Sequence, residues 1–263
     1  MNLNGKRILL TGATGGLGQE LAKLLGQKGA VLTLVGREEA KLNLLKDLIE
    51  KSGSKAHSLI ADLNEEGASQ RIVKQAKQVM GDVEVLINNA GVLDFIKLED
   101  QSDERISQMI HTNVIVPIQL ARAMVKNINS NNRGHIVFVG SIFGSLGFPY
   151  FATYCASKFA LHGFSQSLRR ELLGTKIGIT YIAPRGISTP MNDANTVAMW
   201  DKSGSKMDNP ELVAELIVKG LEKEQEEVFI GQPQSFFAWL NSVCPKVVSL
   251  GLKKTTLIAR QIL

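Results

Sequence analysis

Short runs rich in Val, Ile and Leu alternate along this chain with longer stretches whose apolar residues recur at helical spacing. The short runs predict strands at 7–10, 30–35, 55–60, 83–87, 135–139, 177–182 and 228–230. The longer stretches predict helices at 16–28, 38–51, 65–80, 103–129, 153–173 and 210–223. The fourth of these should break near Asn113, with Pro117 early in its second half. Strand-helix alternation of this kind predicts an α/β fold: a doubly wound parallel sheet of about seven strands with helices on both faces. No repeat or low-complexity linker divides the chain. One domain over residues 1–231, including a variable substrate loop at 190–208, is therefore expected, followed by a basic amphipathic appendage at 232–263.

The first strand runs into Thr11-Gly12-Ala13-Thr14-Gly15-Gly16-Leu17-Gly18 and then a helix. In that position the glycines permit a tight turn and close approach of a pyrophosphate, and the helix N-terminus offers free N–H groups. Gly12, Thr14, Gly15, Gly16, Leu17 and Gly18 are thus expected to bind a dinucleotide. At the end of the second strand, Val35-Gly36-Arg37 lacks the carboxylate that would accept from a ribose 2′-hydroxyl. Arg37 can instead fork a 2′-phosphate, partly opposed by Glu38 and Glu39, which puts NADP(H) ahead of NAD(H). A solvated Arg37 that only stacks on adenine is the alternative. Asp62, followed by Leu63, is placed to accept from the adenine amino group, and Asp62 to Glu65 also has the spacing of a capping box.

Asn88-Asn89-Ala90-Gly91 closes the fourth strand, Ser141 follows the fifth, and Tyr154-Cys155-Ala156-Ser157-Lys158 opens a helix. Tyr154 and Lys158 are four apart and share a helical face, so an ammonium can favour the ionised phenol. A lowering of about 3 pKa units would take about 4 kcal/mol of differential stabilisation. Only a close, partly desolvated pair assisted by a positively charged cofactor ring could supply that. Tyr150 lacks such a partner.

In the order of these motifs, residues 6–230 resemble the short-chain dehydrogenase/reductase family, whose fold is of the Rossmann type. The resemblance implies a catalytic set of Asn113, Ser141, Tyr154 and Lys158. Asn89, Ala90 and Gly91 would stand beside the cofactor, and Lys158 would hold the nicotinamide ribose as well as tune Tyr154. Asn113 would anchor a water that links Lys158 to solvent. Pro184-Arg185-Gly186-Ile187-Ser188-Thr189 matches the segment that holds the nicotinamide amide, through Pro184, Ile187 and Thr189. Arg185 departs from the pattern, since glycine usually follows this proline. The first motif fits two glycine spacings, Gly12/Gly15/Gly18 of longer epimerases and Gly12/Gly16/Gly18 of shorter reductases. Asn88 to Gly91 and the length favour the shorter group.

The implied activity is hydride transfer between NADP(H) and a small-molecule carbonyl or alcohol, in which Ser141 bonds the carbonyl oxygen and Tyr154 supplies the proton. A dinucleotide-sensing or membrane-surface adaptor that kept the fold without turnover is the other class of reading. Met191, Val197, Met199, Trp200 and Met207 in the substrate loop point to an apolar ligand or to packing of a lid.

At 263 residues and 44% hydrophobic composition, the chain can bury a substantial core. Its net charge of +5 is interleaved with acids, which argues against nucleic acid. The histidines show no metal-ligand spacing with Cys155 or Cys244, and no metal is expected. Two cysteines and no apolar leader suggest a cytoplasmic, reducing setting. A homo-oligomer is expected. After Glu227 no acid occurs, whereas Lys246, Lys253, Lys254 and Arg260 do. The apolar positions around them, interrupted by Pro245 and Gly251, predict two short amphipathic helices. These could pack on the domain, join subunits or lie on an anionic membrane.

Overall fold

The computed structural model describes residues 1–128 and 133–263. Among these, seven parallel strands form one sheet: β1 (Arg7–Thr11), β2 (Val31–Gly36), β3 (Ala56–Ile60), β4 (Val85–Asn88), β5 (Gly134–Val139), β6 (Ile177–Pro184) and β7 (Glu227–Ile230). The helices between them are α1 (Gly16–Gln27), α2 (Glu39–Lys51), α3 (Ala68–Met80), α4 (Asp103–Ile110), α5 (Val116–Asn127), α6 (Ala152–Glu171), α7 (Ala194–Lys202) and α8 (Pro210–Glu222). Three more follow β7: α9 (Gln234–Val243), α10 (Pro245–Gly251) and α11 (Lys253–Ile262).

Successive residues of a strand face opposite sides, so a strand covered on both sides is apolar at most of its positions. In β1, Ile8 and Leu10 pack with Leu21 of α1, Leu42 of α2 and Ile217 of α8. Leu9 joins the opposite layer with Ile72 of α3, Leu120 of α5 and Leu161 of α6. The strand order β3-β2-β1-β4-β5-β6-β7 reverses between β1 and β4, which defines a Rossmann-type sheet and opens a crevice beyond the carboxyl ends of those two strands.

The break expected near Asn113 is a wide π turn, His111–Ile115, joining α4 to α5 without interruption. Pro117 lies in the first turn of α5, where a missing N–H removes one regular helical bond. The expected end of that helix at residue 129 lies outside the described residues.

Three expectations are corrected. The capping box at Asp62 does not form, because α3 starts at Ala68 after Gly67 in the left-handed region; the Asp62 carboxylate instead accepts from the Asn64 backbone at 2.9 Å. The loop at 190–208 contains α7, capped by Asp193, whose carboxylate accepts from Thr196 N at 2.7 Å. The tail forms three helices rather than two: its turn after Leu252 stays helical, so Gly251 ends α10 without ending the helical run.

Candidate active site

The crevice at the β1–β4 switch point is a cleft of about 600 Å³. It is lined by Gly12, Thr14, Gly15, Gly16, Leu17 and Gly18 on one side and by Asn89, Ala90 and Gly91 on the next loop. Arg37, Asp62 and Leu63 stand at one end; Ser141, Tyr154, Lys158, Pro184, Ile187 and Thr189 stand at the other. Of the residues singled out from sequence, Asn113 does not line it.

Two glycines explain the cradle. Gly12 sits at φ 63°, and a Cβ there would come within 2.8 Å of Ala90 Cα, so the two loops can touch only without a side chain. A Cβ on Gly16 would meet Thr189 Cγ2 at 2.8 Å, so that glycine admits the segment after β6. Asn89 ties the loops together: its amide donates to the carbonyls of Thr11 and Gly12, each at 3.1 Å. Thr11 Oγ1 in turn accepts from the backbone of Asn89 at 3.0 Å and Ala90 at 3.1 Å. No side chain caps α1, leaving its first-turn N–H groups and positive dipole directed at this cleft. A cradle closed to a Cβ at Gly12 and Gly16 and an uncapped helix end fit the diphosphate of a dinucleotide.

At the other end, Phe143 N donates to Ser141 Oγ at 3.1 Å, while the Ser141 hydroxyl reaches Pro184 O only at 3.5 Å. The oxygen is held and its proton can be redirected. Tyr181, fully buried in β6, holds the Ser141 backbone from both sides: its hydroxyl accepts from Ser141 N at 3.4 Å and donates to Ser141 O at 3.2 Å. A tyrosine in a buried strand reads as core, so sequence reasoning missed it.

Lys158 Nζ donates to Val139 O at 3.1 Å and lies 5.6 Å from the centre of the Tyr154 ring. The expected lowering of the phenol is not present in the protein by itself. Burial pushes the Tyr154 phenol above its ordinary value, against a smaller opposing effect of the Ser141 hydroxyl, and pushes Lys158 down to about 8. Asn113 stands one step behind. Its amide clamps Val92, accepting from Val92 N at 2.9 Å and donating to Val92 O at 2.8 Å, and also donates to Ser157 Oγ at 3.0 Å. Both N–H donors of that side chain are thereby committed.

Arg185 bridges to the base of the lid, where the 190–208 loop ends. Its guanidinium donates to both Asp208 oxygens, at 2.9 and 2.6 Å, and to Gln232 O at 2.9 Å and Gln234 Oε1 at 3.1 Å. The residue that departs from the glycine pattern therefore joins β6, the lid and α9. Asn192, also unmarked in the sequence, donates to Ile187 O at 2.7 Å and holds the segment that carries Thr189. The cleft wall beside Tyr154 is aromatic: Trp200 lies 6.2 Å from Phe143 and 6.4 Å from Phe151, centre to centre, and both phenylalanines face Tyr154 edge-on.

Comparison with known proteins adds to this geometry. Residues 6–199 match the family described as short chain dehydrogenase. An uncharacterized oxidoreductase of Bacillus subtilis is 32% identical over 259 residues, covering 96% of this chain and 72% of that protein. A short chain dehydrogenase of Burkholderia cenocepacia, solved in complex with NADP, is 26% identical with a TM-score of 0.81, covering 89% of this chain and 100% of that one. A short chain dehydrogenase/reductase of Burkholderia phymatum, solved with NAD, has the same fold at a TM-score of 0.84 and 21% identity, covering 94% of this chain and 96% of that one.

Proposed function

The chain belongs to the short chain dehydrogenase family, and from that premise we propose that it is an NADP(H)-dependent oxidoreductase acting on an apolar carbonyl or alcohol. The observation that carries this reading is the convergence of Ser141, Tyr154 and Lys158 on the same cleft as the glycine cradle and the uncapped end of α1. Support for NADP(H) comes from β2, which ends without a carboxylate, and from exposed Arg37 and Lys41 on the cleft wall. Lys41 is held by Glu38 at 2.8 Å, and a 2′-phosphate would compete for it. Phe143, Phe151 and Trp200 support an apolar substrate. Both cysteines are free thiols, which accords with a reducing, cytoplasmic setting.

When bound, the dinucleotide supplies or accepts the hydride. Ser141 donates a hydrogen bond to the substrate carbonyl oxygen and sets its distance from the phenol. Tyr154, kept protonated by burial, hands its proton to that oxygen as negative charge develops. Lys158, with one N–H spent on Val139 O, has donors left that would hold the nicotinamide ribose, and its charge would offset that left on the phenol. Phe143, Phe151 and Trp200 keep water from the reacting carbon.

The test follows cofactor absorbance with NADPH or NADH over a panel of aliphatic and aromatic ketones and aldehydes. NADPH should be consumed faster than NADH, and Arg37→Ala should shrink that preference about tenfold, the cost of a lost charge-assisted fork. An unchanged ratio removes Arg37 from the site. Tight cofactor binding with no consumption across the panel would instead favour a non-catalytic sensing protein.

A further inference from the structure

The helices after β7 carry an apolar surface that the rest of the chain does not cover. Phe236, Phe237, Trp239, Val243, Val247 and Leu250 are each between 42% and 60% exposed, whereas Ala238 and Val248 of the same helices are buried. Isolated exposed apolar side chains are ordinary, but six within one stretch of 236–250 make a patch. Its aromatic rings gather, Phe236 lying 6.0 Å from Phe237 and 5.6 Å from Trp239. The orientation is fixed from behind. Asn241 donates to Ser145 O at 3.0 Å, and Ala259 of α11 is fully buried in the core cluster that holds Met199 and Trp200.

The charge carried by the tail itself has one sign. From residue 228 onward the chain has no Asp or Glu, and Lys246, Lys253, Lys254 and Arg260 are exposed. A second copy docking by the same surface would bring two basic tails together, which like charges oppose. A surface with negative headgroups above an apolar interior complements both features: the rings enter the acyl boundary and the ammonium groups stay among the phosphates. We propose that α9–α11 dock this protein on an anionic lipid bilayer, with the lid side of the cleft toward the lipid. Among the described residues no helix is long and apolar enough to cross a membrane, so the contact is peripheral. An apolar substrate would then reach Phe143 and Trp200 from the lipid side, a consequence that rests on the proposed oxidoreductase function, whereas the docking itself does not.

The experiment is co-sedimentation of the full chain with vesicles of phosphatidylcholine alone or with about one third phosphatidylserine, at low and high salt. The protein should pellet with the anionic vesicles at low salt and at least about tenfold less with the neutral ones. The double variants Phe236→Ser/Trp239→Ser and Lys253→Glu/Lys254→Glu should each weaken that binding about tenfold or more, with NADPH binding unchanged as evidence of an intact fold. Equal binding to neutral vesicles, or none to either, overturns the proposal. So does self-association in sedimentation velocity that Trp239→Ser abolishes without any vesicle binding, which would assign the patch to a second copy.

Discussion

Where β1 and β4 end, the cleft wall is glycine main chain: Gly12 against the Ala90 backbone, Gly16 against the Thr189 side chain, and the bare N-terminus of α1. Some residues further along the same cleft, the wall is made of side chains brought from distant parts of the sequence: Phe143 and Phe151 before α6, Trp200 from α7, with Ala259 of α11 packed into the same core cluster. The two halves obey different constraints. A wall of backbone admits one residue type at each contact and leaves a fixed spacing in the sequence. A wall of aromatic side chains can be refilled by many combinations of similar volume, so it fixes a polarity and leaves the particular substrate open.

The largest expected effect on cofactor binding lies in the main-chain half. Gly12→Val places a branched side chain at a positive φ and against Ala90 Cα, costing about 1–2 kcal/mol from the backbone before the clash is counted. NADPH affinity should fall about 100-fold or more, which is about 3 kcal/mol of binding, and the melting temperature should drop by several degrees. Fluorescence titration and thermal melts read both. Normal cofactor binding in this variant would break the contrast between the halves.

Tyr181→Phe acts at the junction of the halves. It removes the hydroxyl that holds Ser141 N and O while leaving the ring stacked on His162 at 4.3 Å. Turnover should fall about tenfold through misplacement of Ser141, with the Kd for NADPH unchanged. A matching loss of cofactor affinity would mean that Tyr181 supports the sheet and not the placement of Ser141.

A pH profile sharpens the same boundary. Lys158, pushed down to about 8, is an ammonium below that pH and neutral above it. If its charge supports the phenol, kcat/KM for reduction should be flat toward pH 7 and fall about tenfold per unit well above 8. A profile flat through pH 10 would leave Lys158 with no electrostatic role.

The smallest effect belongs to the side-chain half. Asp208→Asn unpairs the mostly buried Arg185 and loosens the lid at its base. The substrate KM should rise a few-fold while NADPH affinity changes less than about twofold, with a melting temperature lower by several degrees from about 1–3 kcal/mol of lost ion pairing. Equal loss of both affinities would show that the lid base serves the cofactor as much as the substrate.

The same contrast explains what could be read from the chain before its structure. The seven strands were legible because burial on both faces forces uninterrupted apolar runs, as in β1 and β5. The glycine turn was legible because Gly12 answers to the Ala90 backbone and Gly16 to the close approach of Thr189, and neither leaves room for a Cβ. Helix α7 was not, since its Asp193 cap precedes only nine residues with a mixed pattern. Asp62 misled because Asp-x-x-Glu also describes a turn when Gly67 then takes a positive φ and delays the helix. Tyr181, Asn192 and the bridge made by Arg185 depend on partners about 40, 5 and 23 positions away, which no local pattern displays. Tyr150, set aside for want of a lysine partner, has a different contact: its hydroxyl accepts from Arg260 of α11 at 3.3 Å.

The proposed role of Tyr154 as proton donor is tested most directly by measuring, on one sample of Tyr154→Phe, the affinity for NADPH and the rate of NADPH oxidation with a carbonyl that the unaltered protein reduces. The phenol lies in the cleft wall and the glycine cradle is untouched, so affinity should stay within about twofold while the rate falls between about 10²- and 10⁴-fold. A rate near that of the unaltered protein, at equal cofactor affinity, would contradict the account.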